Sequence, residues 1–345
     1  MNKLASILLV WIFLLSSCTN EYIAYHNKII QNERSEAINA SKSLEFSLDK
    51  IKDRDVDIME TPDIGVLDRI TGLMDSTKKR LYVEVYILTE KRIIKSMIDA
   101  HKRWVDVKAV FEKNVFGAWN INKKAYDSLK ASWIDVTYAS TENYKYTHSK
   151  YMILDDSYLI STGNFSYSSF KTNKEIFVSW NDMEDVSKLV KIFDSDHAWE
   201  RLVVCDNWLV VSPFCPQNEL LTLIDSAKSS IYVYDEVIDD KDIENALSAK
   251  KATGVDVKVI VWDTKKVSAN TELIKRLSQK GIEILAPKKP FVHAKMIMVD
   301  SKFAYIWSIN LTKNSISNNR EVWIILKYGP KLDLIKNNFL AYFSK

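Results

Sequence analysis

A single displacement of 150 positions lays Asp75-Ser76-Thr77-Lys78-Lys79-Arg80-Leu81-Tyr82-Val83 onto Asp225-Ser226-Ala227-Lys228-Ser229-Ser230-Ile231-Tyr232-Val233. The same displacement carries Val105-Asp106-Val107-Lys108 onto Val255-Asp256-Val257-Lys258. Each copy reads as a helix ending in lysines, a strand of β-branched and aromatic residues, a second helix and another apolar strand. A further helix follows (Lys123 to Lys130; Glu272 to Lys280), then a short strand (Ile134 to Val136; Ile282 to Ile284). Successive β-α-β units predict an α/β fold with largely parallel or mixed sheets flanked by helices. Two such halves can pack about a pseudo-twofold axis, so that equivalent positions meet across it. The halves are expected over residues 56–200 and 201–345, joined roughly from Glu200 to Pro216.

Each half ends in the same string. The first is His148-Ser149-Lys150-Tyr151-Met152-Ile153-Leu154-Asp155 and the second His293-Ala294-Lys295-Met296-Ile297-Met298-Val299-Asp300. Alternate residues of a strand share a face, so His and Lys of each string point the same way. Asp155 and Asp300 open turn-like segments that lead into apolar strands, Tyr158 to Ile160 and Phe303 to Ile306. Each string is therefore a predicted β-hairpin, with the aspartate bracing the hairpin rather than touching substrate. Asn164 and Asn310 lie beyond the hairpins, followed by Glu175 and Glu321. The His-to-Glu separation is 27 residues in one copy and 28 in the other, a difference that one deleted residue explains.

The residue types suit reactions at an anionic phosphodiester. Lys150 and Lys295, with the amides of Asn164 and Asn310, can stabilise charge on the equatorial oxygens of a five-coordinate transition state. Two histidines can divide the work, one neutral and one cationic. Glu175 and Glu321 are placed to accept from the Nδ1–H of a histidine, leaving Nε2 to face phosphorus. No metal-ligand spacing is present and no metal or cofactor is expected. Seven glycines include no phosphate-cradling glycine-rich string.

Paired H-x-K-x4-D strings, each trailed by Asn and Glu, resemble the phospholipase D superfamily, and the likeness covers nearly the whole mature chain. It implies one active site between two halves, without metal. One histidine attacks phosphorus to form a phosphohistidine. The other protonates the leaving oxygen and later deprotonates the incoming water or alcohol. The first-motif histidine is usually the nucleophile, so the resemblance implies that role for His148 and the acid role for His293. This chain departs from the family's Gly-Ser-x-Asn string. Trp307 stands at the glycine of the second copy, and the first copy reads Ser161-Thr162-Gly163-Asn164. A tryptophan there is expected to narrow the pocket or alter substrate choice.

The N-terminus adds a compartment. Lys3, a largely apolar run from Leu4 to Leu15 and the string Leu15-Ser16-Ser17-Cys18 form a charged, apolar and small-residue sequence. It resembles a bacterial lipoprotein signal of residues 1–18, with Cys18 diacylated and the domain tethered to a membrane outside the cytoplasm. Residues 19–55 read as a tether with one helix. An oxidising compartment permits a bridge between Cys205 and Cys215, the alternative being two buried thiols. His26, His101 and His197 have no partner pattern. Lys288-Lys289-Pro290-Phe291 and Tyr144-Lys145-Tyr146 precede the catalytic histidines and are expected at the mouth of the site. Most of the ten tryptophans and sixteen tyrosines are expected in the core.

These observations favour a phosphoric diester hydrolase of phospholipase D type, acting on a phospholipid by hydrolysis or transphosphatidylation. A chain of net charge +3 lacks the strong basic excess of a general nucleic-acid binder. A nuclease of the same superfamily is the alternative. A non-catalytic surface-binding lipoprotein is disfavoured by complete residue sets in both halves. Partners are the phosphodiester substrate and the anchoring membrane. The oligomeric state stays open, with a monomer sufficient for the site. Cardiolipin synthases of this superfamily typically carry transmembrane helices, and the sequence shows no such run.

Overall fold

The computed structural model describes residues 47–205, 208–213, 216–308 and 310–344. The leader, Cys18 and His26 lie outside the described residues, and so does Cys215; Cys205 is disulfide-bonded.

The first half contains β1 (Asp57–Thr61), α1 (Ile64–Ser76), β2 (Arg80–Val85), α2 (Lys91–Lys102), β3 (Asp106–Phe111), α3 (Lys123–Ala131), β4 (Asp135–Tyr138), β5 (Lys150–Leu154), β6 (Ser157–Ser161), α4 (Tyr167–Lys171), β7 (Asn173–Asn181) and α5 (Met183–His197). The second repeats this order as β8 (Leu209–Val211), α6 (Pro216–Ser226), β9 (Ser230–Tyr234), α7 (Lys241–Ala252), β10 (Asp256–Ile260), α8 (Ala269–Gln279) and β11 (Glu283–Leu285). It continues through β12 (Phe291–Val292), β13 (Met296–Val299), β14 (Phe303–Trp307), α9 (Lys313–Asn318), β15 (Val322–Lys327) and α10 (Pro330–Leu340). The strand orders β1-β7-β6-β5-β2-β3-β4 and β8-β15-β14-β13-β9-β10-β11 coincide element by element. Both sheets are mixed, with a parallel β2-β3-β4 or β9-β10-β11 block joined to antiparallel hairpins.

The strands are apolar on both faces because both faces are covered. In β5, Tyr151 and Ile153 enter a central core shared by the halves, while Met152 and Leu154 face α1, α2 and α3. In β13, Met296 and Met298 join the same central core and Ile297 and Val299 face the outer helices. Helices α5 and α10 supply Leu189, Phe193, Ile335 and Phe339 to that central layer. Tyr82 stacks on Phe193 at 4.8 Å, and Tyr232 stacks on Phe339 at 5.3 Å in the other half.

Two expectations on segment boundaries change. The stretch expected to connect the halves contains β8, which pairs with β15 as an edge strand of the second sheet. The described end of the expected tether is packed rather than loose. Ile51 is buried in the second-half core. Arg54 makes a two-toothed ion pair with Asp185 at 3.0 to 3.2 Å, and Asp185 also accepts from Tyr158 and Trp208. Arg54→Ala leaves Asp185 buried without its cation, so a loss of about 3–5 kcal/mol is expected. Chemical denaturation monitored by circular dichroism measures it.

Candidate active site

The histidines stand where each half's chain crosses into the other. The strand β12 leaves its own half and pairs in parallel with β7 of the first, and the backbone N–H of His293 donates to Lys174 O at 3.2 Å. In the mirror arrangement, His148 N–H donates to Arg320 O at 2.8 Å and Arg320 N–H to Tyr146 O at 2.9 Å. The Arg320 side chain is fully buried and fixed by Asp196, the Ser212 carbonyl and Tyr144. It pins the backbone to which His148 is paired.

This exchange decides which carboxylate serves which histidine. Nδ1 of His148 lies 3.0 Å from both oxygens of Glu321. Nδ1 of His293 lies 2.8 Å from Oε1 and 2.9 Å from Oε2 of Glu175. Each pair joins a histidine of one half to a glutamate of the other. An ionised carboxylate can only accept, so Nδ1 carries the proton and Nε2 is turned into the pocket. Each glutamate has the same further donors. Thr162 Oγ1 donates to Glu175 at 2.9 Å and Ser308 Oγ to Glu321 at 2.6 Å. Amides two residues upstream complete the sets, Asn173 to Glu175 at 3.1 Å and Asn319 to Glu321 at 3.2 Å. Burial would raise both carboxyls, but the histidine and lysine charges and these donors outweigh it, and both are lowered.

Lys150 and Lys295 are fully buried, each donating to the carbonyl of its own histidine at 2.6 Å. Burial pushes Lys150 down to about 7; Glu321 opposes the fall and Lys295 adds to it. Burial likewise lowers His148 to about 4, against the pull of Glu321 and with Lys150 and Lys295 assisting. Charges of both halves thus act on one another, as a shared site requires. The amide oxygens of Asn164 and Asn310 are buried without a hydrogen-bond partner among the described residues.

The walls differ between halves. Tyr86 stands edge-on to the His148 ring at 4.4 Å, with Lys150 Nζ 5.4 Å from its centre. In the second half Glu236 Oε2 lies 3.5 Å from both His293 Nε2 and Lys295 Nζ. Trp262 sets its ring edge-on to His293 at 6.2 Å.

Asp155 and Asp300 stand at the far ends of β5 and β13, seven residues and about 20 Å along the chain from the histidines. In the left-handed region at φ 57° and 55°, they accept from the backbone amides of Lys78, Lys79 and Arg80, and of Lys228, Ser229 and Ser230. They clamp the entries to β2 and β9 and touch no reacting group. Trp307 does not narrow the pocket: it is fully buried in the outer core of the second half, packed on Tyr305 at 4.8 Å. Strand alternation turns its side chain away from the shared face. Tyr144 is buried against Arg320 rather than at the mouth; Tyr146 sets its ring edge-on to Tyr86 at 6.1 Å, and Lys145 donates to Asn314 at 3.0 Å. Among the described residues most tryptophans and tyrosines are buried or packed against the core, as expected, while Trp104, Trp119, Trp133 and Trp199 are exposed. His197 lies 3.3 Å from Asp135 and stacks on Phe193, outside the site.

Several functional neighbours were missed. Asn173 and Asn319 belong to Asn173-Lys174-Glu175 and Asn319-Arg320-Glu321, a repeated Asn-x-Glu that was legible as a pattern. Tyr86, Glu236 and Trp262 do not repeat and left no such signal. Gly163 has a role the sequence did not disclose. A Cβ there would lie 2.7 Å from both Cγ and Cδ of Glu175. That carboxylate is held by three donors, so Gly163→Ala is expected to cost about 1–3 kcal/mol and to displace the acceptor of His293. Thermal denaturation and turnover should fall together.

Among the described residues, no group of three or more His, Cys, Asp or Glu is arranged to hold a metal ion, and no helix is long and apolar enough to cross a membrane.

Known proteins share this organisation. The chain is 23% identical over 318 residues to a cardiolipin synthase of Geobacillus thermodenitrificans, covering 78% of this chain and 62% of that protein. It therefore spans about three fifths of that relative's length. It is 29% identical over 119 residues to a phospholipase D of Rickettsia bellii, covering 34% of this chain and 59% of the relative. The structure of phosphatidylserine synthase from Haemophilus influenzae Rd KW20 superposes with a TM-score of 0.63 at 13% identity, covering 84% of this chain and 86% of that one, a likeness of fold. A family profile described as "Cardiolipin synthase, PLD-like domain" matches twice, at residues 70–197 and 220–343. With both halves matched and the paired histidine strings meeting at their junction, the chain belongs to this phospholipase D-like family.

Proposed function

We propose that the protein is a phospholipid phosphodiesterase that passes a phosphatidyl group through His148 to an alcohol or to water. The observation that carries this reading is the crossed Nδ1–carboxylate pairing, which leaves both Nε2 atoms clear of the two glutamates while Lys150 and Lys295 of both halves act on the same histidine. His148, lowered by burial to about 4, presents a free Nε2 lone pair at neutral pH. That lone pair attacks phosphorus, the P–O bond to the head-group alcohol breaks, and His293 gives its Nε2 proton to the departing oxygen. Neutral His293 then takes the proton of the entering hydroxyl. Its oxygen attacks phosphorus, and the P–N bond to His148 breaks. The lysines and amides hold the non-bridging oxygens throughout.

A lipid substrate is supported by what the relatives are named for and by the wall of the site. The loop after β3 exposes Phe116 (81%) and Trp119 (78%), and Phe116 N–H donates at 2.7 Å to the hydroxyl of Tyr86, whose ring packs on His148. Aromatic side chains in that position suit a membrane interface. Acylation at Cys18 would hold the domain against such a surface outside the cytoplasm, as the leader sequence proposes.

Full-length protein incubated with phosphatidylglycerol vesicles is expected to release glycerol and form cardiolipin or phosphatidic acid. Nicking of plasmid DNA with the lipid untouched would overturn the lipid reading in favour of a nuclease. With Phe116→Ser and Trp119→Ser combined, turnover of vesicles should fall about tenfold or more through lost interfacial burial. A monomeric short-chain phosphatidylglycerol should be turned over within about twofold of wild type, on the same scale of reasoning.

A further inference from the structure

The halves agree so closely at the catalytic positions that their differences carry information. The displacement of 150 that lays β2 on β9 also lays Tyr86 on Glu236. On the His148 side the wall is therefore an aromatic ring whose hydroxyl is already engaged with Phe116 N–H. On the His293 side it is a carboxylate, 3.5 Å from Nε2 of the histidine and 3.5 Å from Nζ of Lys295. Burial would raise the Glu236 carboxyl, but Lys295, His293 and the amide of Asn310 outweigh it and hold it at about 2. Glu236 is thus anionic.

We propose that Glu236 is the positioning residue that makes the two histidines unequal, its carboxylate holding His293 as the imidazolium and leaving His148 as the neutral nucleophile. The argument is one of donors and acceptors. An imidazolium has two N–H donors and a neutral ring one. His293 has a carboxylate at each nitrogen, Glu175 from β7 at Nδ1 and Glu236 from beyond β9 at Nε2. The other groups facing it are Lys295, just before β13, and the Trp262 ring from beyond β10, while His148 shares with it the charge of Glu236. His148 has one carboxylate in contact among the described residues, Glu321 at Nδ1, and faces Tyr86, Lys150, the charge of Lys295 and, less strongly than His293 does, the charge of Glu236. Nδ1 of His293 is hydrogen-bonded to one carboxylate and its Nε2 stands at ion-pair distance, 3.5 Å, from a second, whereas only Nδ1 of His148 has a carboxylate beside it. Once substrate enters, an alcohol oxygen on Nε2 of His293 is also within reach of Glu236, so the residue lies on the side where the alcohol departs and arrives.

The consequence for turnover rests on the phosphodiesterase reading, but the test does not depend on it. In substrate-free full-length protein carrying isotope-labelled imidazoles, the His293 ring is assigned by its loss in His293→Gln. In Glu236→Gln it is expected to give up its proton about one pH unit lower than in wild type, while the His148 ring stays neutral in both. With a substrate, the alkaline limb of kcat/KM should move down by the same interval. Peptide mapping of wild type after an alkaline quench, which preserves the P–N bond, should then place the phosphoryl group on the peptide containing His148. An unmoved His293 titration in Glu236→Gln, or phosphate on the His293 peptide, overturns the inference. A change in Tm alone, as expected of a mere counter-ion to Lys295, overturns it too. If no phosphodiester is turned over while the His293 shift is observed, the proposed function falls and the role of Glu236 stands.

Discussion

His148→Ala is expected to reduce turnover of phosphatidylglycerol vesicles by about 10⁴-fold or more, the scale seen when a covalent nucleophile is removed. His293→Ala should behave differently although the two residues look alike in sequence. Its loss removes proton delivery to the leaving oxygen, worth about 10²–10⁴-fold for an alkoxide leaving group. A p-nitrophenyl phosphodiester has a leaving group that needs no proton, so His293→Ala should still release one equivalent of nitrophenolate per site in a burst. His148→Ala should release none. A burst in His148→Ala, or equal collapse of both variants on the activated substrate, would contradict the assigned roles.

The second large effect follows from the crossing of the halves. Glu321→Gln replaces an acceptor by an amide that can present a donor to Nδ1, favouring the wrong tautomer of His148. Losses of about 10⁴-fold are known for such a change at an orienting carboxylate. Glu175→Gln should do the same to His293. The distinctive expectation lies in a double-mutant cycle. Glu321→Gln should add little to His148→Ala yet remain nearly fully expressed on His293→Ala, because coupling follows contact rather than membership of a half. Coupling of Glu321 to His293 instead would refute the crossed arrangement of the site in solution.

Much of this was legible from repetition. The displacement of 150 residues gave both halves, and the hairpins β5–β6 and β13–β14 lie where the paired strings placed them. His148, Lys150, Asn164, Glu175 and their counterparts were named because chemistry left the same residues twice at matched spacing. What spacing within one half does not contain is partnership across the axis. That Glu321 serves His148 and Glu175 serves His293 depends on β12 entering the other sheet and on Arg320 pairing beside His148. Trp307 was misplaced for a related reason. Its position in a catalytic string said nothing about which face of β14 it would occupy, and the alternation set by Met296 and Ile297 put it in the outer core. Tyr86 and Glu236 escaped because a search for repeats passes over the positions where the copies diverge. Phe116 and Trp119 escaped because composition counts aromatic residues without saying which ones meet solvent.

The exchange of β12 and of the His148 segment has a consequence for synthesis. A growing chain that has completed only its first half already carries His148, Lys150 and Asn164. Glu321 has yet to be made, so His148 has no acceptor to fix its tautomer, and Glu175 has no histidine to hold. The pair of His148 with Glu321 is therefore absent until β15 is in place.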